Sequence, residues 1–377
     1  MTVSQRESDS TVHEGLEGVV VTKTRLSHVD GERGRLIVAG LDVEDLAARY
    51  DFEGAAALLF TAAGVEASAE QTRARLALGR AQAFGRLASL GDALDRDDAM
   101  DALRAAVAHV PESASREEVV AAVAVFTAAY ARKREGKPPL APPEGCGHAE
   151  SLLAMLGRAH DPARVRALDA YLITVMDHGL NASTFAARVV ASTRSDLVSS
   201  VVAGIGALKG PLHGGAPGPV LDMLTEIGSS ERASAFLTAE LAGGRRIMGM
   251  GHRIYRQRDP RAHVLEGALE TLQRSLHESG SRQDVDAEER LSLARAVERH
   301  AEALLEARYP GRNLRANVEF YTAVLLSALD LPSRLFACVF ACARSAGWAA
   351  HVAEQQARGR LIRPLAEYVG AMPKAPA

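Results

Sequence analysis

Apolar residues recur at three- and four-residue spacing from Val43 onward, and this helical period constrains the fold more than any other feature of the sequence. Alanine and leucine dominate these stretches, and both are strong helix formers. Aromatic residues make up only 5% of the chain, so the core is predicted to consist of aliphatic packing between helices. We therefore predict an all-α fold, and the length of 377 residues favours one large domain and a second, smaller one.

The few strand signals lie before the helical region. Residues 18–24 and 35–39 are rich in β-branched and apolar side chains and flank a turn sequence at 30–34, so we predict a small N-terminal β-hairpin. Residues 1–14 are polar and are predicted to be disordered.

Capping signals and loop-forming residues mark several boundaries between elements. A capping-box pattern from Ser115 to Glu118 predicts one helix start, and Asp161 followed by Pro162 predicts another. Four prolines predict a surface loop over 136–147, and a polar stretch over 278–286 predicts a second one.

The charge balance excludes some classes of partner. Lysine and arginine number 44 against 47 aspartates and glutamates, which gives a formal net charge of -3. No global positive field exists to bind nucleic acid or an anionic membrane. Any anionic ligand must therefore be bound by arginines at a local site.

The cysteine count indicates a reducing compartment. Cys146, Cys338 and Cys342 cannot all pair, and the last two have the i, i+4 spacing of one helix face. The N-terminus has no basic segment followed by an apolar run, and no stretch of about 18 uncharged apolar residues occurs. We expect a cytoplasmic protein without a secretion signal or a membrane span.

Three short segments carry the side chains that indicate catalysis. His213 lies in GPLHGG, His252 in GMGHR and Glu319 in NVEFY. Histidine titrates closest to neutral pH, and a carboxylate serves as a base once its surroundings raise its pKa. Two imidazoles and one carboxylate are the groups needed to remove a proton from carbon and to polarise two carbonyls.

Neighbouring residues favour an anionic ligand, although each also has an ordinary structural interpretation. Residues 245–261 contain six arginines interleaved with glycines, and arginine binds carboxylates and phosphates bidentately. Asn181 and Ser183 are suited to cap a helix, and Glu319 is also a favourable acid for a first helical turn. Residues 343–351 place Arg344 four residues before the only tryptophan, Trp348, which we expect to be buried.

Taken in order, these motifs resemble the citrate synthase family, of the short bacterial type that includes the 2-methylcitrate synthases. The resemblance covers about residues 15–370. It implies a homodimer in which each subunit has a large helical domain, 15–214 with 326–377, and a small helical domain, 215–325. The alanine-rich segments 117–133 and 183–208 offer small-residue faces for close packing between subunits.

The resemblance also implies a role for each site residue. His213 would stabilise the enolate of acetyl-CoA, His252 would polarise the oxaloacetate carbonyl, and Glu319 would remove the methyl proton. Four residues of the same chain would bind oxaloacetate: His178, Asn181, Arg261 and Arg344. A fifth residue, Arg363, would reach the active site of the partner subunit. Coenzyme A would be bound by the glycine segment and two arginines, which are Gly249, Met250, Gly251, Arg256 and Arg312. Neither a metal nor a cofactor is implied, because acetyl-CoA is a substrate.

Two departures from the family pattern leave alternatives open. The family's usual base is aspartate, and the extra methylene of Glu319 shifts the carboxylate by about 1 Å, a displacement that can cost about 10²-fold in rate. Residues 35–40 also differ from the Tyr-Arg-Gly sequence that the family often has there. The alternatives are a 2-methylcitrate synthase that uses propionyl-CoA, and a weakly active paralogue with a binding or regulatory role.

Overall fold

Helices form most of the chain in the computed structural model, which describes residues 12–213, 217–252, 254–279 and 283–373. The all-α prediction is confirmed. The described residues contain fifteen α-helices, numbered here in chain order: α1 Val43–Arg49, α2 Phe52–Ala62, α3 Ala69–Gly85, α4 Ala99–Val107, α5 Arg116–Arg134, α6 His148–Leu156, α7 Pro162–Val175, α8 Ala182–Ser192, α9 Leu197–Leu208, α10 Pro217–Ile227, α11 Ser230–Ala242, α12 Pro260–Ser279, α13 Gln283–Arg308, α14 Val318–Ala328 and α15 Phe336–Arg358.

A small antiparallel sheet precedes α1, and its first strand lies later in the chain than predicted. The strands are β1 Ser27–Asp30, β2 Arg35–Val38 and β3 Leu41–Asp42, in that order across the sheet. The strand prediction at 35–39 is confirmed, whereas the one at 18–24 is wrong. The β-branched run at 18–24 has little to pack against, and Val20 is 87% exposed. The strand forms instead where the turn at 30–34 pairs β1 with β2.

The helix starts read from capping signals are confirmed. The Ser115 side chain and the Glu118 side chain form the reciprocal capping box of α5. The Asp161 carboxylate accepts hydrogen bonds from the backbone N–H groups of Ala163 and Arg164 at the start of α7. Each boundary therefore follows from satisfying the unpaired N–H groups of a first helical turn.

The predicted loops agree in part with the structure. The surface loop at 136–147 is confirmed, because no helix or strand occurs between α5 and α6 and most of the segment is exposed. The loop predicted at 278–286 is shorter than expected, since α12 continues to Ser279 and α13 begins at Gln283. Residues 280–282 lie outside the described residues, as do residues 1–11 of the segment predicted to be disordered.

Two helices, α5 and α15, form the centre of the core. All side chains of α5 from Val119 to Ala131 are buried, and α15 packs against α5, α7, α8 and α9. The prediction that residues 117–133 offer a face to a second subunit is therefore wrong, because the chain itself covers that helix. Small side chains appear there because two helices approach closely inside one subunit.

The predicted burial of Trp348 is confirmed, since its exposed fraction is 0%. A Cβ at Gly204 of α9 would lie 2.9 Å from the Trp348 ring, so the glycine makes room for the indole. The segment Ser333–Arg358 is long and apolar enough to cross a membrane by length and composition, but 89% of that window is buried inside the protein. A central core helix passes the same test.

Candidate active site

The loop that carries His252 and the helix start that carries Glu319 are joined by backbone pairing. Gly251 N–H donates to the Arg315 carbonyl at 2.7 Å, and Asn317 N–H donates to the Gly249 carbonyl at 3.0 Å. The Asn317 side chain donates to the Gly251 carbonyl at 2.9 Å and accepts from Glu319 N–H at 3.0 Å. Asn317 therefore caps α14 and connects it to the histidine loop, so both reacting groups belong to one rigid unit.

The glycines of this loop are required by its backbone conformation and by its close packing on α14. Gly249 and Gly251 have φ values of 75° and 83°, in the left-handed region that favours glycine. A Cβ at Gly249 would lie 2.9 Å from the Phe320 Cβ. The Gly251 N–H is occupied by Arg315, so it is not left free for an anion. These glycines allow the loop to pack directly on α14.

His252 is held in one tautomer by its own loop. Its Nδ1 accepts hydrogen bonds from the N–H groups of Ile254 and Tyr255, both at 3.1 Å. Burial, with Arg261 nearby, lowers the His252 pKa to about 4. The imidazole is therefore neutral at physiological pH. Its two bonds at Nδ1 are shorter than the 3.4 Å contact between Arg261 Nη2 and its Nε2, so we assign the proton to Nε2, from which it can donate to a substrate oxygen.

His213 has the opposite arrangement. It lies in the turn after α9, where its Nε2 is 2.8 Å from the Ser183 Oγ and 3.4 Å from the Ser183 backbone nitrogen, which donates to it. Burial, with Arg344 nearby, lowers its pKa to about 4. A neutral imidazole whose Nε2 accepts has its proton on Nδ1, so His213 can also act as a donor.

Arg344 and His178 form a buried cationic pocket with an unused donor. Arg344 Nε donates to the Val175 carbonyl at 2.8 Å, and its Nη2 lies 2.6 Å from His178 Nδ1. Its Nη1 is buried and has no partner among the described residues. A buried guanidinium nitrogen without an acceptor is costly unless a ligand supplies one, and a carboxylate is the acceptor that arginine prefers.

Arg261 is held by a residue that sequence reasoning missed. Its Nε and Nη2 donate to both carboxylate oxygens of Asp259 at 3.0 and 2.8 Å, and Val318 N–H donates to Asp259 at 3.2 Å. Asp259 therefore positions Arg261 and the start of α14 together. The only sequence signal was the Asp-Pro turn before α12. Because Asp259 accepts from Nε and Nη2 of Arg261, only the other guanidinium N–H groups of Arg261 can reach a substrate.

Glu319 has the titration behaviour of a base. Burial raises its pKa to about 7, an increase that the nearby positive charges of Arg261 and Arg344 limit. A carboxylate with a pKa near the working pH combines a sizeable ionised fraction with enough basicity to accept a proton. Glu319 thus lies within electrostatic range of Arg261 and Arg344. His178 lies within range of both arginines and of His213 and His252.

A network of hydrogen-bonded polar side chains holds the backbone next to His178. Asp177, which precedes His178, accepts from Ser27 Oγ at 2.5 Å and from His351 Nε2 at 3.1 Å. Arg188 then donates to His351 Nδ1 and to Glu354. The network fixes the orientation of the peptide that carries His178, because every member is paired.

The remaining predicted site residues that were named for substrate and coenzyme A either bond to their own helix or are exposed. The Asn181 amide is engaged in capping α8, where it accepts from the N–H groups of Ser183 and Thr184. Arg256 and Arg312 are exposed, and the Arg312 guanidinium lies over the Tyr309 ring. Arg363 is exposed on the extended segment that follows α15.

Comparisons with known proteins agree with one another. A family model described as "Citrate synthase, C-terminal domain" matches residues 15–365. Citrate synthase of Acidithiobacillus ferridurans is 36% identical over 378 residues, which cover 94% of this chain and 95% of that protein. 2-methylcitrate synthase of Mycobacterium tuberculosis is 35% identical over 392 residues, which cover 98% and 93%. The solved ternary complex of carboxymethyl coenzyme A and oxaloacetate with citrate synthase from Thermoplasma acidophilum has a TM-score of 0.82 at 26% identity, and the match covers 97% of this chain and 98% of that chain.

Proposed function

Because the chain belongs to the citrate synthase family, we propose that His213, His252 and Glu319 carry out the condensation of acetyl-CoA with oxaloacetate that leads to citrate. The observation that supports these roles is the pairing of a carboxyl whose pKa is about 7 with two histidines kept neutral by burial. Groups whose pKa values are separated in this way divide into a base and hydrogen-bond donors.

Oxaloacetate binds first in this proposal, in the pocket of Arg344, Arg261 and His178. One carboxylate accepts from the unpartnered Arg344 Nη1, and His178 donates from Nε2 because its Nδ1 faces Arg344. The ketone oxygen accepts from His252 Nε2. The carbonyl carbon is thereby polarised by a preorganised donor in a site that excludes water.

Acetyl-CoA then loses a proton to Glu319. His213 Nδ1 donates to the thioester oxygen and stabilises the enolate as negative charge develops there. The enolate carbon attacks the ketone carbon of oxaloacetate, and His252 gives its Nε2 proton to the resulting alkoxide. The proton that Glu319 removed returns to His252 through solvent in the hydrolysis step, so both groups regain their starting states. Water hydrolyses the thioester of citryl-CoA, which releases citrate and coenzyme A. Neither a metal nor a prosthetic group is needed for these steps.

We further propose that Gly249, Met250, Gly251, Arg256 and Arg312 bind coenzyme A, with the two exposed arginines contacting its phosphates. Two domains, 15–214 with 326–377 and 215–325, would close over both substrates. Support comes from the packing of α10, α11, α13 and α14 mainly within this group, whereas α12 packs both on α14 and, at least as extensively, on α7. A cytoplasmic location fits the three unpaired cysteines.

The choice of acyl donor is tested by assay of CoA release with acetyl-CoA and propionyl-CoA in parallel, each with oxaloacetate. We expect kcat/KM to be about 10-fold or more higher for acetyl-CoA, since one methylene in a tight pocket is worth that much. In the proposed arrangement, the longer side chain of Glu319 would take up space beside the acyl methyl. Equal or faster turnover of propionyl-CoA would instead identify a 2-methylcitrate synthase, and no turnover of either would indicate a binding protein.

A homodimer is proposed because apolar side chains are left uncovered in the single chain. Leu365 and Val369 on the segment after α15 are 94% and 89% exposed. The outward sides of α8 and α9 carry half-buried alanine, valine and glycine residues. A second subunit would cover both surfaces and would bring Arg363 to the neighbouring active site.

Subunit mixing tests the placement of Arg363. Arg363→Ala and His213→Ala proteins are each expected to be nearly inactive. In a heterodimer, one of the two sites has both wild-type residues, so exchange should restore about one quarter of wild-type activity per subunit. No recovery after exchange verified by mass spectrometry would place Arg363 outside the partner's site.

A further inference from the structure

The turn between β1 and β2 lies directly against the loop that follows His252. Arg256 N–H donates to the Gly31 carbonyl at 2.9 Å. A Cβ at Gly31 would lie 2.3 Å from the Ile254 carbonyl oxygen, and one at Gly34 would lie 2.9 Å from the Gln257 Cβ. Two segments more than 200 residues apart in sequence therefore meet backbone to backbone, with no side chain between them.

Hydrogen bonds are made at both ends of β1 in this hairpin. Within the turn, Asp30 accepts from the backbone N–H of Arg33 at 3.0 Å and from its guanidinium at 3.1 Å. At the other end of β1, Ser27 Oγ donates to Asp177, the residue before His178. The four-residue strand β1 thus extends from the His178 side of the site to the His252 side.

The contact at Ile254 lies two positions along the chain from the catalytic His252. The Ile254 carbonyl faces Gly31, and the Ile254 N–H donates to His252 Nδ1 at 3.1 Å. That bond, with the one from Tyr255, places the proton of His252 on Nε2. A displacement of Ile254 by about 1 Å would weaken the bond that selects the tautomer, and misplacements of this size can cost about 10²-fold in rate.

We propose that Gly31 is a positioning residue for His252, acting through Ile254: the missing side chain lets the hairpin turn hold the 254–258 loop in the conformation that fixes the tautomer. This inference rests on the proposed role of His252. Gly31 has a backbone conformation open to any residue, so glycine is needed there for space alone. Gly34 has a φ of 63°, and its replacement would strain the turn itself.

The test compares Gly31→Ala with Glu32→Ala, an exposed neighbour in the same turn. We expect Gly31→Ala to lower kcat by about 10- to 100-fold, while circular dichroism shows an unchanged helix content. Hydrogen exchange of the Arg256 amide, measured without substrates, should become faster in Gly31→Ala because its bond to the Gly31 carbonyl is lost. Glu32→Ala should match the wild type in both measurements.

The exchange measurement separates this inference from the catalytic assignment. Wild-type exchange at Arg256 in Gly31→Ala, or wild-type kcat alongside faster exchange, would overturn the positioning role. The variant His252→Ala tests whether His252 has a catalytic role at all. Near-normal kcat in that variant would remove His252 from the mechanism, while the exchange result for Gly31→Ala would still stand. A loss of kcat of similar size in Glu32→Ala would also overturn the proposal.

Discussion

Glu319→Gln is expected to lower kcat by about 10³-fold while the protein stays folded. Glutamine has nearly the same shape as glutamate, so it keeps the packing at the start of α14 and the cap from Asn317 to the Glu319 N–H. It cannot accept a proton from the thioester methyl. Steady-state kinetics of CoA release, with KM values for both substrates, measure the loss.

The pH profile gives a second measurement of the same assignment. Glu319 must be ionised to act as a base, so kcat/KM for oxaloacetate, which reports the free enzyme, should fall as the pH drops through about 7, where burial places its pKa. Bound oxaloacetate brings negative charge next to Arg261 and Arg344, which weakens their attraction for the carboxylate. The midpoint for kcat should therefore lie above the midpoint for kcat/KM.

Glu319→Asp is the matched control, because it keeps the charge and shortens the reach. It should retain far more activity than Glu319→Gln, with any loss arising from distance alone. If Glu319→Asp and Glu319→Gln both equal the wild type, Glu319 is not the base. A higher rate in Glu319→Asp would show that the surrounding geometry suits the shorter acid.

His213→Ala is expected to have the second large effect, a loss in kcat of about 10²- to 10³-fold, the usual cost of removing one donor to a developing oxyanion. The fold should tolerate the change, because His213 lies in a turn and is only partly buried. The KM for oxaloacetate should change little, since Arg344, Arg261 and His178 remain.

An exposed histidine outside the site provides the control for this variant. His109 lies just after α4 and is exposed, so His109→Ala should retain wild-type kinetics. Loss of the thioester donor should also abolish any exchange of the acetyl-CoA methyl protons with solvent deuterium. Normal exchange in His213→Ala would contradict its proposed role in stabilising the enolate.

Helices were predictable wherever a local signal specified them. Ser115 with Glu118 and Asp161 with Pro162 satisfy the first-turn N–H groups by themselves, so the structure confirms those starts. β1 was not predictable, because Ser27–Asp30 contains a single apolar residue, Val29, and becomes a strand through pairing with β2. The complete burial of α5 requires the distant helix α15 in addition to α3, α4 and α6, and local periodicity does not report that distant contact.

The reacting side chains were also predictable, whereas the residues that orient them were not. His213, His252 and Glu319 stand out by their glycine and asparagine neighbours. Asp259 and Ser183 look like an ordinary turn acid and an ordinary cap, yet one holds Arg261 and the other holds His213. Their function depends on which side chains the fold brings within hydrogen-bond distance. That proximity cannot be predicted from the positions of the residues in the sequence.

The central position of α15 also affects how the protein is synthesised. The helices that α15 covers, α5 and α7 to α9, leave the ribosome long before residues 336–358 exist. Until then, the side of α5 that packs on α15 stays uncovered, although α3, α4 and α6 can already pack on its other sides. A growing chain that exposes such a surface is prone to aggregate and is a substrate for chaperones. Release of the last core helix therefore controls when the large helical core is completed.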